Sequence, residues 1–462
     1  MEAKQPHIML IAYPAQGHIN PLLQFAKRLA SKNLLQVTLV ADDATVTTSS
    51  FSTQGQTNSL NIEYISYGFD MQLGVLNLSN PDQFIAHHKL RVSQNLPKLI
   101  NKHKYSGHPV QVLVYDSVMP WVLDIAKELG LKGAPFFTQS CAVCAIYFHM
   151  LQGMLNIPEA MTSLVSIPSL PLLDARDLPS LVYDMGSYPS ILDVVLDQFS
   201  NLEKTDWILF NNFDALEDKV AEWLSNQQPI KTVGPCIPSM FLDKRLAGDK
   251  DYGLSLFKPD VEACIKWLDA KDAASVVYVS FGSMANLGLD QMEELAWGLL
   301  NSNSFFLWVV RESEQSKLPK KFMSEAAKKG LVVSWCPQLQ VLAHKAVGSF
   351  MTHCGWNSTL EALCLGVPML AMPQWTDQTT NAKYIVDVWQ TGIRVKAIDN
   401  ESVTKEDVAK CVKDVMEGTT GKALRANAIR WKELAVEAMS EGGSSDKNID
   451  EFISEIKLTS TC

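Results

Sequence analysis

The chain has 462 residues, of which 47% are hydrophobic and 19% are charged, and its formal net charge at pH 7 is −10. This composition is that of a globular protein of two or three domains, and it excludes intrinsic disorder, collagen and coiled coil. The acidic balance, without any cluster of Lys and Arg, argues against nucleic acid or an anionic membrane surface as a partner.

Neither a secretory signal nor a membrane span is predicted. Only six apolar residues, 8–13, precede a proline near the N-terminus. The uncharged stretch 133–158 has an apolar centre, 142–151, that is shorter than the about 20 residues a span needs. Nine cysteines, an odd number, indicate free thiols in a reducing compartment, so we expect a cytoplasmic protein, by default a monomer. Cys141 and Cys144 have CxxC spacing but lie in an apolar run, and we predict that they pack in the core.

Short β-rich segments alternate with helical patterns along most of the chain. The predicted strands are 8–13, 36–41, 62–66, 111–116, 134–138 and 207–210 in the first half, and 275–281, 305–310, 331–334, 348–352, 368–372 and 392–395 in the second. Most are continuous runs of Val, Ile, Leu and Phe, which is typical of parallel strands covered on both faces. After about residue 396 the pattern is helical, and a final amphipathic helix is predicted over 446–457. The sequence therefore predicts two doubly wound α/β units.

The boundary between these units is predicted in a segment rich in Gly, Pro, Lys and Asp. We place an N-terminal domain at 1–240, a linker at 241–260, a C-terminal domain at 261–442, and a terminal helix at 443–462 that packs back on the N-terminal domain. Open parallel sheets bind ligands at the carboxyl ends of their strands, so residues that directly follow strands are the first candidates for a site.

The stretch 335–378 carries the densest set of candidate ligand-binding residues. A buried strand, 348–352, leads into a helix that begins after His353. Small, hydroxyl-bearing and amide-bearing residues supply donors at the helix start, where the dipole favours an anion: Gly355, Asn357, Ser358 and Thr359.

Three polar residues on one face of this predicted helix span a distance that matches part of a nucleotide. His353, Asn357 and Glu361 are four residues apart, so at about 1.5 Å per residue they span about 12 Å, the reach from a diphosphate to a ribose. Glu361 would accept hydrogen bonds from a sugar diol, and Trp335, just after a strand, would stack on a base. The alternative is that His353 is an ordinary helix-cap residue and that the polar cluster is a solvated turn.

A second pair of candidates lies in the first half of the chain. His18 follows the first strand and Gly17 at the start of a helix, and Asp116 ends the strand 111–116. If the two side chains are adjacent, the carboxylate orients the imidazole and stabilises its protonated form, as in a general base. The alternative is a helix-capping His and an unrelated N-cap Asp.

Competing chemistries lack their motifs. No G-x-G-x-x-G occurs, which disfavours an NAD-dependent oxidoreductase, and no G-x-S-x-G occurs, which weakens a hydrolase reading. Asp249 and Asp251 form a D-x-D pattern, but no strand precedes it, and we interpret it as a solvated loop rather than a metal site.

The stretch 335–378 resembles, nearly position for position, the signature box of plant secondary-product glycosyltransferases, the inverting UDP-sugar-dependent family with the GT-B fold. The similarity runs from 15–21 through 276–283 to the terminal helix. The resemblance implies two facing Rossmann-like domains with a cleft between them. It also implies that UDP-glucose is the co-substrate, since Gln at the last box position, here Gln378, goes with glucose, and that no metal or cofactor is required.

The resemblance also implies roles for single residues, with His18 as general base and Asp116 as its supporting acid. Trp335 would stack on uracil, Cys336 would bind its edge through the backbone, and Gln338 and Glu361 would hold the ribose. The diphosphate would be held by His353, Asn357, Ser358 and Ser283. The sugar would be contacted by Thr138, Trp356, Asp377 and Gln378. The donor-binding set also includes Gly17, Gly355 and Trp375, although Trp375 could instead serve only in packing.

The acceptor is the least defined feature of the sequence. Related plant enzymes commonly have an acidic, Gly-rich stretch where this chain is more apolar, and Tyr67, Met71 and Leu73 are our acceptor-region candidates. We expect a bulky hydrophobic acceptor such as a terpenoid, steroid or flavonoid, unless these residues simply pack against the domain. The segments 136–150 and 308–319 look most like the subgroup that glucosylates salicylate, auxins, triterpenoids and cardenolides. The alternatives are a glucose ester on a small aromatic or hormone carboxylic acid, and a non-catalytic binder of UDP-sugar.

Overall fold

A computed structural model describes residues 5–42, 60–65, 81–157, 163–254, 257–395 and 403–459. The chain divides into two compact units. The first unit comprises Met1–Ala175, Leu181–Leu256 and Val436–Cys462, and the second unit comprises Arg176–Ser180 and Phe257–Ala435. Each is an α/β unit built on a parallel sheet, so the predicted fold class is confirmed.

The described strands form a seven-stranded sheet, a six-stranded sheet and a two-stranded ladder. They are β1 (His7–Ile11), β2 (Gln36–Asp42), β3 (Leu60–Ile65), β4 (Val110–Asp116), β5 (Lys132–Phe137), β6 (Leu164–Val165), β7 (Leu173–Asp174), β8 (Ile208–Phe210), β9 (Ile230–Thr232), β10 (Val276–Ser280), β11 (Phe305–Val309), β12 (Gly330–Val333), β13 (Val347–Thr352), β14 (Met369–Ala371) and β15 (Gly392–Arg394). Each predicted strand overlaps an observed one. The sequence analysis missed β6, β7 and β9, because β6 and β7 have only two residues and β9, Ile-Lys-Thr, has one apolar residue and so no apolar run.

Helices connect most of these strands. They are α1 (Gln16–Ser31), α2 (Pro81–Tyr105), α3 (Trp121–Glu128), α4 (Cys141–Leu151), α5 (Ser180–Tyr183), α6 (Pro189–Asp197), α7 (Asp218–Gln227), α8 (Val261–Asp269), α9 (Leu289–Asn301), α10 (Phe322–Ala326), α11 (Gln338–Leu342), α12 (Trp356–Leu365), α13 (Gln378–Lys383), α14 (Lys405–Met416), α15 (Gly418–Met439) and α16 (Ser444–Thr459). Among the described helices, none is long and apolar enough to cross a membrane.

The sheet of the first unit has the order β3-β2-β1-β4-β5-β8-β9, and its neighbouring strands are parallel. All five residues of β1 are buried, as expected of a central strand covered by helices on both faces. The chain proceeds outward from β1 to β3 on one side and from β4 to β9 on the other. The strand order therefore reverses between β1 and β4, which is where open α/β sheets bind ligands.

The second unit repeats this plan with the order β12-β11-β10-β13-β14-β15, again with parallel neighbours. Its core packs Val277 and Val279 of β10 with Phe306 and Trp308 of β11 and Met351 of β13. The order reverses between β10 and β13, so the second unit has its own switch point at the carboxyl ends of these two strands.

The segment that we predicted as a linker packs against α1. Its residues up to 254 belong to the first unit. Arg28 donates two hydrogen bonds to Asp243, at 2.7 and 3.0 Å. Asp249 is buried, lies 2.8 Å from Lys27 Nζ through Oδ1, and accepts the Ser239 N–H through Oδ2 at 2.7 Å. The interpretation of Asp249 as part of a solvated loop was therefore wrong, because two cations on α1 draw this acidic segment onto the helix.

The C-terminal helix α16 also belongs to the first unit. Ser445 Oγ donates to the Gly234 carbonyl at 2.6 Å, and Asp446 pairs with Lys32 of α1 at 2.8 Å. Cys141 and Cys144 are fully buried, which confirms the prediction that they pack in the core. The cysteines within the described residues are all free thiols.

Candidate active site

His18 and Asp116 meet at the switch point of the first unit. α1 starts five residues after the end of β1 and carries His18 in its first turn, while Asp116 is the last residue of β4. The Nδ1 atom of His18 lies 2.7 Å from Oδ2 of Asp116. Asp116 is fully buried, whereas a quarter of the His18 side chain, 25%, is exposed. A carboxylate at Nδ1 favours the tautomer that carries its proton there and leaves Nε2 as the acceptor.

Thr138 completes this cluster from a third strand. It follows β5, and its Oγ1 lies 3.2 Å from His18 Nδ1. Tyr13, two residues beyond β1, places its ring centroid 5.4 Å from that of His18 and 5.0 Å from that of His88. Burial lowers the pKa of His88 to about 3, so its ring is uncharged at neutral pH. The side of the imidazole next to Tyr13 is therefore aromatic and uncharged. Gly17, next to His18 in the chain, is exposed.

A buried carboxylate holds the helix that begins just after Thr138. Glu217 accepts the first two N–H groups of α4, from Cys141 at 2.8 Å and from Ala142 at 2.9 Å. The Ser140 hydroxyl accepts the third, from Val143, at 3.2 Å. Burial raises the pKa of Glu217 to about 7, against the lowering effect of these N–H groups. The three residues between β5 and α4 are thus fixed at both ends.

His353 occupies the corresponding switch point of the second unit, directly after β13. Gly282 and Gly355 approach its ring so closely that a Cβ atom would lie 2.8 Å and 2.5 Å from it. Gly282 also has a positive φ of 73°, which favours glycine. Burial lowers the pKa of His353 to about 4, so at neutral pH the imidazole offers hydrogen bonds rather than a positive charge.

α12 begins three residues beyond His353, and its N-cap residue provides no side-chain cap. Its N-cap is Gly355, in an extended conformation with φ −61° and ψ 144°. Asn357 and Ser358 follow in the first turn. Trp356 is buried, with its ring centroid 6.2 Å from that of Trp389, so only its backbone is available at the site. This helix start has the donors and the dipole that favour an anion.

Gln338, Ser358 and Glu361 are brought together by α11 and α12. Gln338 Nε2 donates to Glu361 Oε2 at 2.6 Å and to Ser358 Oγ at 3.0 Å. The hydroxyl of Tyr278 in turn donates to Gln338 Oε1 at 2.8 Å and lies 3.2 Å from Cys336 Sγ. Glu361 is buried and has little contact with water. A bound diol would donate hydrogen bonds directly to its carboxylate.

Trp335 lies two residues after the end of β12, stacked on an aromatic ring. Its indole centroid is 4.2 Å from that of Phe257, with an angle of 29° between the planes. Its carbonyl accepts the Asp260 N–H at 3.2 Å, which joins the start of α8 to this position. One face of Trp335 is thus covered by Phe257.

Asp377 and Gln378 follow β14 and stabilise a tight turn. Gln378 Oε1 accepts the backbone N–H groups of Gln374 at 2.8 Å and of Trp375 at 3.1 Å. Asp377 accepts the Thr376 hydroxyl through Oδ1 and the Asn381 amide through Oδ2, both at 2.8 Å. The Gln378 side chain is therefore oriented with its carbonyl toward the turn and its amide nitrogen away from it.

The comparisons with known proteins agree with this arrangement. The family model described as UDP-glucoronosyl and UDP-glucosyl transferase matches residues 253–434. UDP-glucosyltransferase 74AE2 of Panax ginseng is 55% identical over 97% of this chain and 98% of its own length. Mogroside I-E synthase of Siraitia grosvenorii is 48% identical over 99% of this chain and 100% of its own length.

Solved structures agree as well. The crystal structure of Os79 from O. sativa in complex with UDP superposes with a TM-score of 0.90 at 38% identity, and covers 97% of this chain and 100% of that chain. Os79 has also been solved with U2F and a trichothecene. This chain belongs to the UDP-glycosyltransferase family. It is an enzyme of the GT-B fold that transfers a sugar from a UDP-sugar to a small-molecule acceptor.

The predicted site residues of this UDP-glycosyltransferase fall into two groups. Gly17 and Thr138 lie in the first unit beside His18, and the other donor-binding candidates lie in the second. Tyr67, Met71 and Leu73 lie outside the described residues. Within the described part of the chain, no cluster of three or more His, Cys, Asp or Glu side chains is arranged to hold a metal ion.

Several contacts of the glycosyltransferase sites were not visible in the sequence. Phe257 covers Trp335, and Tyr278 anchors Gln338, yet each is only one aromatic residue among many. Arg311 donates to the backbone carbonyls of Ser283 and Ala285, and so fixes the loop after β10 in which Ser283 lies. The only sequence signal for Arg311 was its position just after a predicted strand.

Proposed function

We propose that this enzyme transfers glucose from UDP-glucose to a hydroxyl group of a hydrophobic small molecule, with inversion at the anomeric carbon. The observation that carries the proposal is the 2.7 Å contact between His18 Nδ1 and Asp116 Oδ2. It gives the imidazole the arrangement of a general base, with one nitrogen held by a carboxylate and the other directed to a substrate.

The reaction needs one proton transfer and one displacement. His18 Nε2 takes the proton of the acceptor hydroxyl as its oxygen attacks the anomeric carbon, and Asp116 stabilises the resulting imidazolium. The bond between the anomeric carbon and the β-phosphate oxygen breaks, and UDP leaves with the bonding electron pair. A single displacement on an α-linked donor gives a β-glucoside.

The donor site would bind UDP-glucose from base to sugar. Trp335 stacks on uracil with Cys336 at its edge, and Glu361, held by Gln338, accepts from the ribose hydroxyls. The start of α12, with Asn357, Ser358, Ser283 and His353, takes up the negative charge that develops on the departing diphosphate. Asp377 and Gln378, together with Thr138 and the backbone of Trp356, contact the glucose.

A hydrophobic acceptor is supported by the surroundings of the base and by the relatives. The Tyr13 ring lies next to His18, and the His88 ring that packs against Tyr13 is uncharged. Among the relatives, one is named a mogroside synthase, and Os79 has been solved with a trichothecene. We infer that a polycyclic alcohol such as a terpenoid is the preferred acceptor class.

The test compares His18→Ala with the unmodified enzyme on matched acceptors. A panel of terpenoid, steroid and flavonoid alcohols is incubated with UDP-glucose, and product is measured by mass spectrometry and UDP release. General-base catalysis contributes about 10²–10⁴-fold, so kcat falls by that factor while the Kd for UDP stays unchanged. His344→Ala, which removes a histidine paired with Asp269 outside the site, is the matched control and retains activity.

Two outcomes would contradict the proposal. Full kcat of His18→Ala on a hydroxyl acceptor removes His18 from the mechanism, and absence of UDP release across the panel with the unmodified enzyme favours a non-catalytic binder. Carboxylic acids in the same panel test the ester alternative. A carboxylate is already ionised, so its transfer survives His18→Ala far better than transfer to an alcohol. Proton NMR of the product shows directly whether the glucoside is β-linked.

A further inference from the structure

A short segment from the first half of the chain is built into the second unit. Residues Arg176–Ser180 lie in the second unit, although the chain on either side belongs to the first. Four hydrogen bonds join this segment to the residues around Asp377 and Gln378. They are Ser180 N–H to the Thr376 carbonyl at 2.8 Å, Thr376 N–H to Ser180 Oγ at 2.7 Å, Thr379 Oγ1 to the Leu178 carbonyl at 2.6 Å, and Thr380 Oγ1 to the Asp177 carbonyl at 2.6 Å.

The side chain of Asp177 adds an ionic link within the same unit. Its Oδ1 lies 2.6 Å from an Arg394 guanidinium nitrogen and its Oδ2 lies 3.5 Å from Lys383 Nζ. Asp177 is buried, so both contacts are stronger than they would be at an exposed site. Lys383 ends α13 and Arg394 ends β15, and the carboxylate therefore ties the helix to the edge of the sheet.

The turn before α13 depends on this segment for part of its backbone bonding. The N–H groups of Gln374 and Trp375 are accepted by Gln378 itself, but that of Thr376 is accepted by Ser180. Thr376 has a positive φ of 55°, a backbone conformation that side-chain-bearing residues adopt only when the surroundings hold them there. Asp377 and Gln378, which follow directly, take their positions from that residue.

We propose that residues 176–180, here called the clasp, position Asp377 and Gln378 and thereby set the sugar selectivity of the donor site, with Asp177 and Ser180 as positioning residues. The proposal rests on the proposed function, in which Asp377 and Gln378 contact the sugar. The residues assigned to uracil and ribose, 335–338 and 358–361, form none of the hydrogen bonds or ion pairs of the clasp described above. Loss of the clasp therefore changes recognition of the sugar and leaves recognition of UDP intact.

The experiment compares Asp177→Asn and Ser180→Ala with the unmodified enzyme. The Kd values of UDP, UDP-glucose and UDP-galactose are measured by calorimetry without acceptor, and kcat and KM for both sugar donors are measured with one acceptor. We expect the Kd for UDP to stay within twofold. We also expect the KM for UDP-glucose to rise about tenfold, and the preference for glucose over its 4-epimer to fall about fivefold or more, as the loss of a charge-assisted contact implies.

Asp243→Asn is the matched control, because it breaks another buried Arg–Asp pair, with Arg28 in the first unit. We expect it to lower stability without changing the preference between the two sugars. Ser180→Ala removes only one hydroxyl group, so it still tests the effect of the clasp on sugar preference if Asp177→Asn does not fold.

Two results would overturn the proposal. One is an unchanged preference between the two sugar donors in both variants, and the other is a parallel loss of affinity for UDP and UDP-glucose, which indicates a general loosening of the second unit. If the unmodified enzyme transfers no sugar, the proposed function fails on that ground. The calorimetric comparison of UDP with UDP-glucose still decides whether the clasp acts on the sugar.

Discussion

The two units place a histidine at the same topological position and surround it with opposite electrostatics. In the first unit, His18 lies 2.7 Å from a buried carboxylate, that of Asp116, and Glu217 occupies the N-terminus of the nearby helix α4. In the second unit, burial lowers the pKa of His353 to about 4, and the N-cap residue of α12 is Gly355, which has no side chain to cap the helix start.

This difference shows how one fold supplies two kinds of site. A carboxylate beside an imidazole favours its protonated form and suits it to accept a proton. A neutral imidazole beside a helix start whose N-cap residue is glycine suits an incoming anion. The position of two acidic side chains, rather than a change of fold, therefore separates the proposed proton-accepting site from the proposed phosphate-binding site.

The largest effect is expected from Asp116→Asn, which removes the charge that distinguishes the first site. Asp116 Oδ1 accepts the Val118 N–H at 3.3 Å, so the carbonyl of the new amide stays there and its NH2 group faces His18. The His18 proton then moves to Nε2, which no longer accepts a proton from the acceptor. We expect kcat on hydroxyl acceptors to fall by about 10⁴-fold, the upper end of general-base catalysis.

Steady-state kinetics and UDP calorimetry check this prediction together. The Kd for UDP is expected to stay unchanged, because Asp116 lies in the first unit and the residues assigned to UDP in the second. Asp206→Asn, which removes a carboxylate paired with Lys127, is the control and keeps its kcat. A kcat for Asp116→Asn within tenfold of the unmodified value would show that the dyad does not act as a base.

From the sequence alone, candidate residues for the second site are easier to recognise than those for the first, for a physical reason. Most of the donor-binding candidates lie within the single stretch 335–378, where strand, helix start and carboxylate follow one another at fixed spacing. Local periodicity therefore places Asn357 and Glu361 on one helix face before any tertiary contact is known. The prediction that His353 shares this face was wrong, because α12 begins only at Trp356 and His353 precedes its N-cap. The strand positions were predictable on similar grounds, since buried parallel strands are continuous apolar runs.

Contacts between distant parts of the chain leave no such signal. Glu217 reaches the start of α4 across 76 residues, and Asp177 reaches Arg394 across 217. Neither acidic residue has a spacing or neighbour that distinguishes it from an exposed one, and both are buried only because the tertiary fold closes over them. For the same reason, the sequence alone did not decide whether His18 and Asp116, which are 98 residues apart, are adjacent in the fold.

A smaller effect, on affinity rather than chemistry, is expected from Asn357→Asp. This change places a carboxylate in the first turn of α12 without changing the size of the side chain. It stabilises the helix start but repels a diphosphate. Two unit charges about 4 Å apart repel by about 4 kcal/mol at an effective dielectric constant of about 20, which corresponds to about a thousandfold weaker UDP binding.

Calorimetry with UDP and with uridine separates the charge effect from a distorted site. Uridine lacks the diphosphate, and we expect its weak binding to be the same in Asn357→Asp as in the unmodified enzyme. Asn301→Asp, at the exposed end of α9, adds the same charge elsewhere in the second unit and serves as the control. Equal loss of UDP and uridine binding would contradict an anion site at α12.

The smallest effect is expected from Glu217→Gln, and it appears in the pH dependence of stability. Burial raises the pKa of Glu217 in the folded protein to about 7 from an ordinary value of 4.5. The folded state therefore binds this proton more tightly than the unfolded state. Its stabilising contribution is complete below about pH 4.5 and is lost as the pH rises to about 7, by up to about 3 kcal/mol at 1.36 kcal/mol per pKa unit.

Urea unfolding at pH 5 and pH 8 measures this contribution, because glutamine does not titrate. The amide also leaves one of the N–H groups of Cys141 and Ala142 without an acceptor, so the variant is less stable at pH 5. We expect that deficit to shrink by up to about 3 kcal/mol at pH 8, where the unmodified enzyme bears a buried charge. Glu222→Gln, at an exposed position of α7, should show no such change. A deficit that is equal at both pH values would mean that Glu217 does not change its protonation state between pH 5 and pH 8, and would contradict the raised pKa.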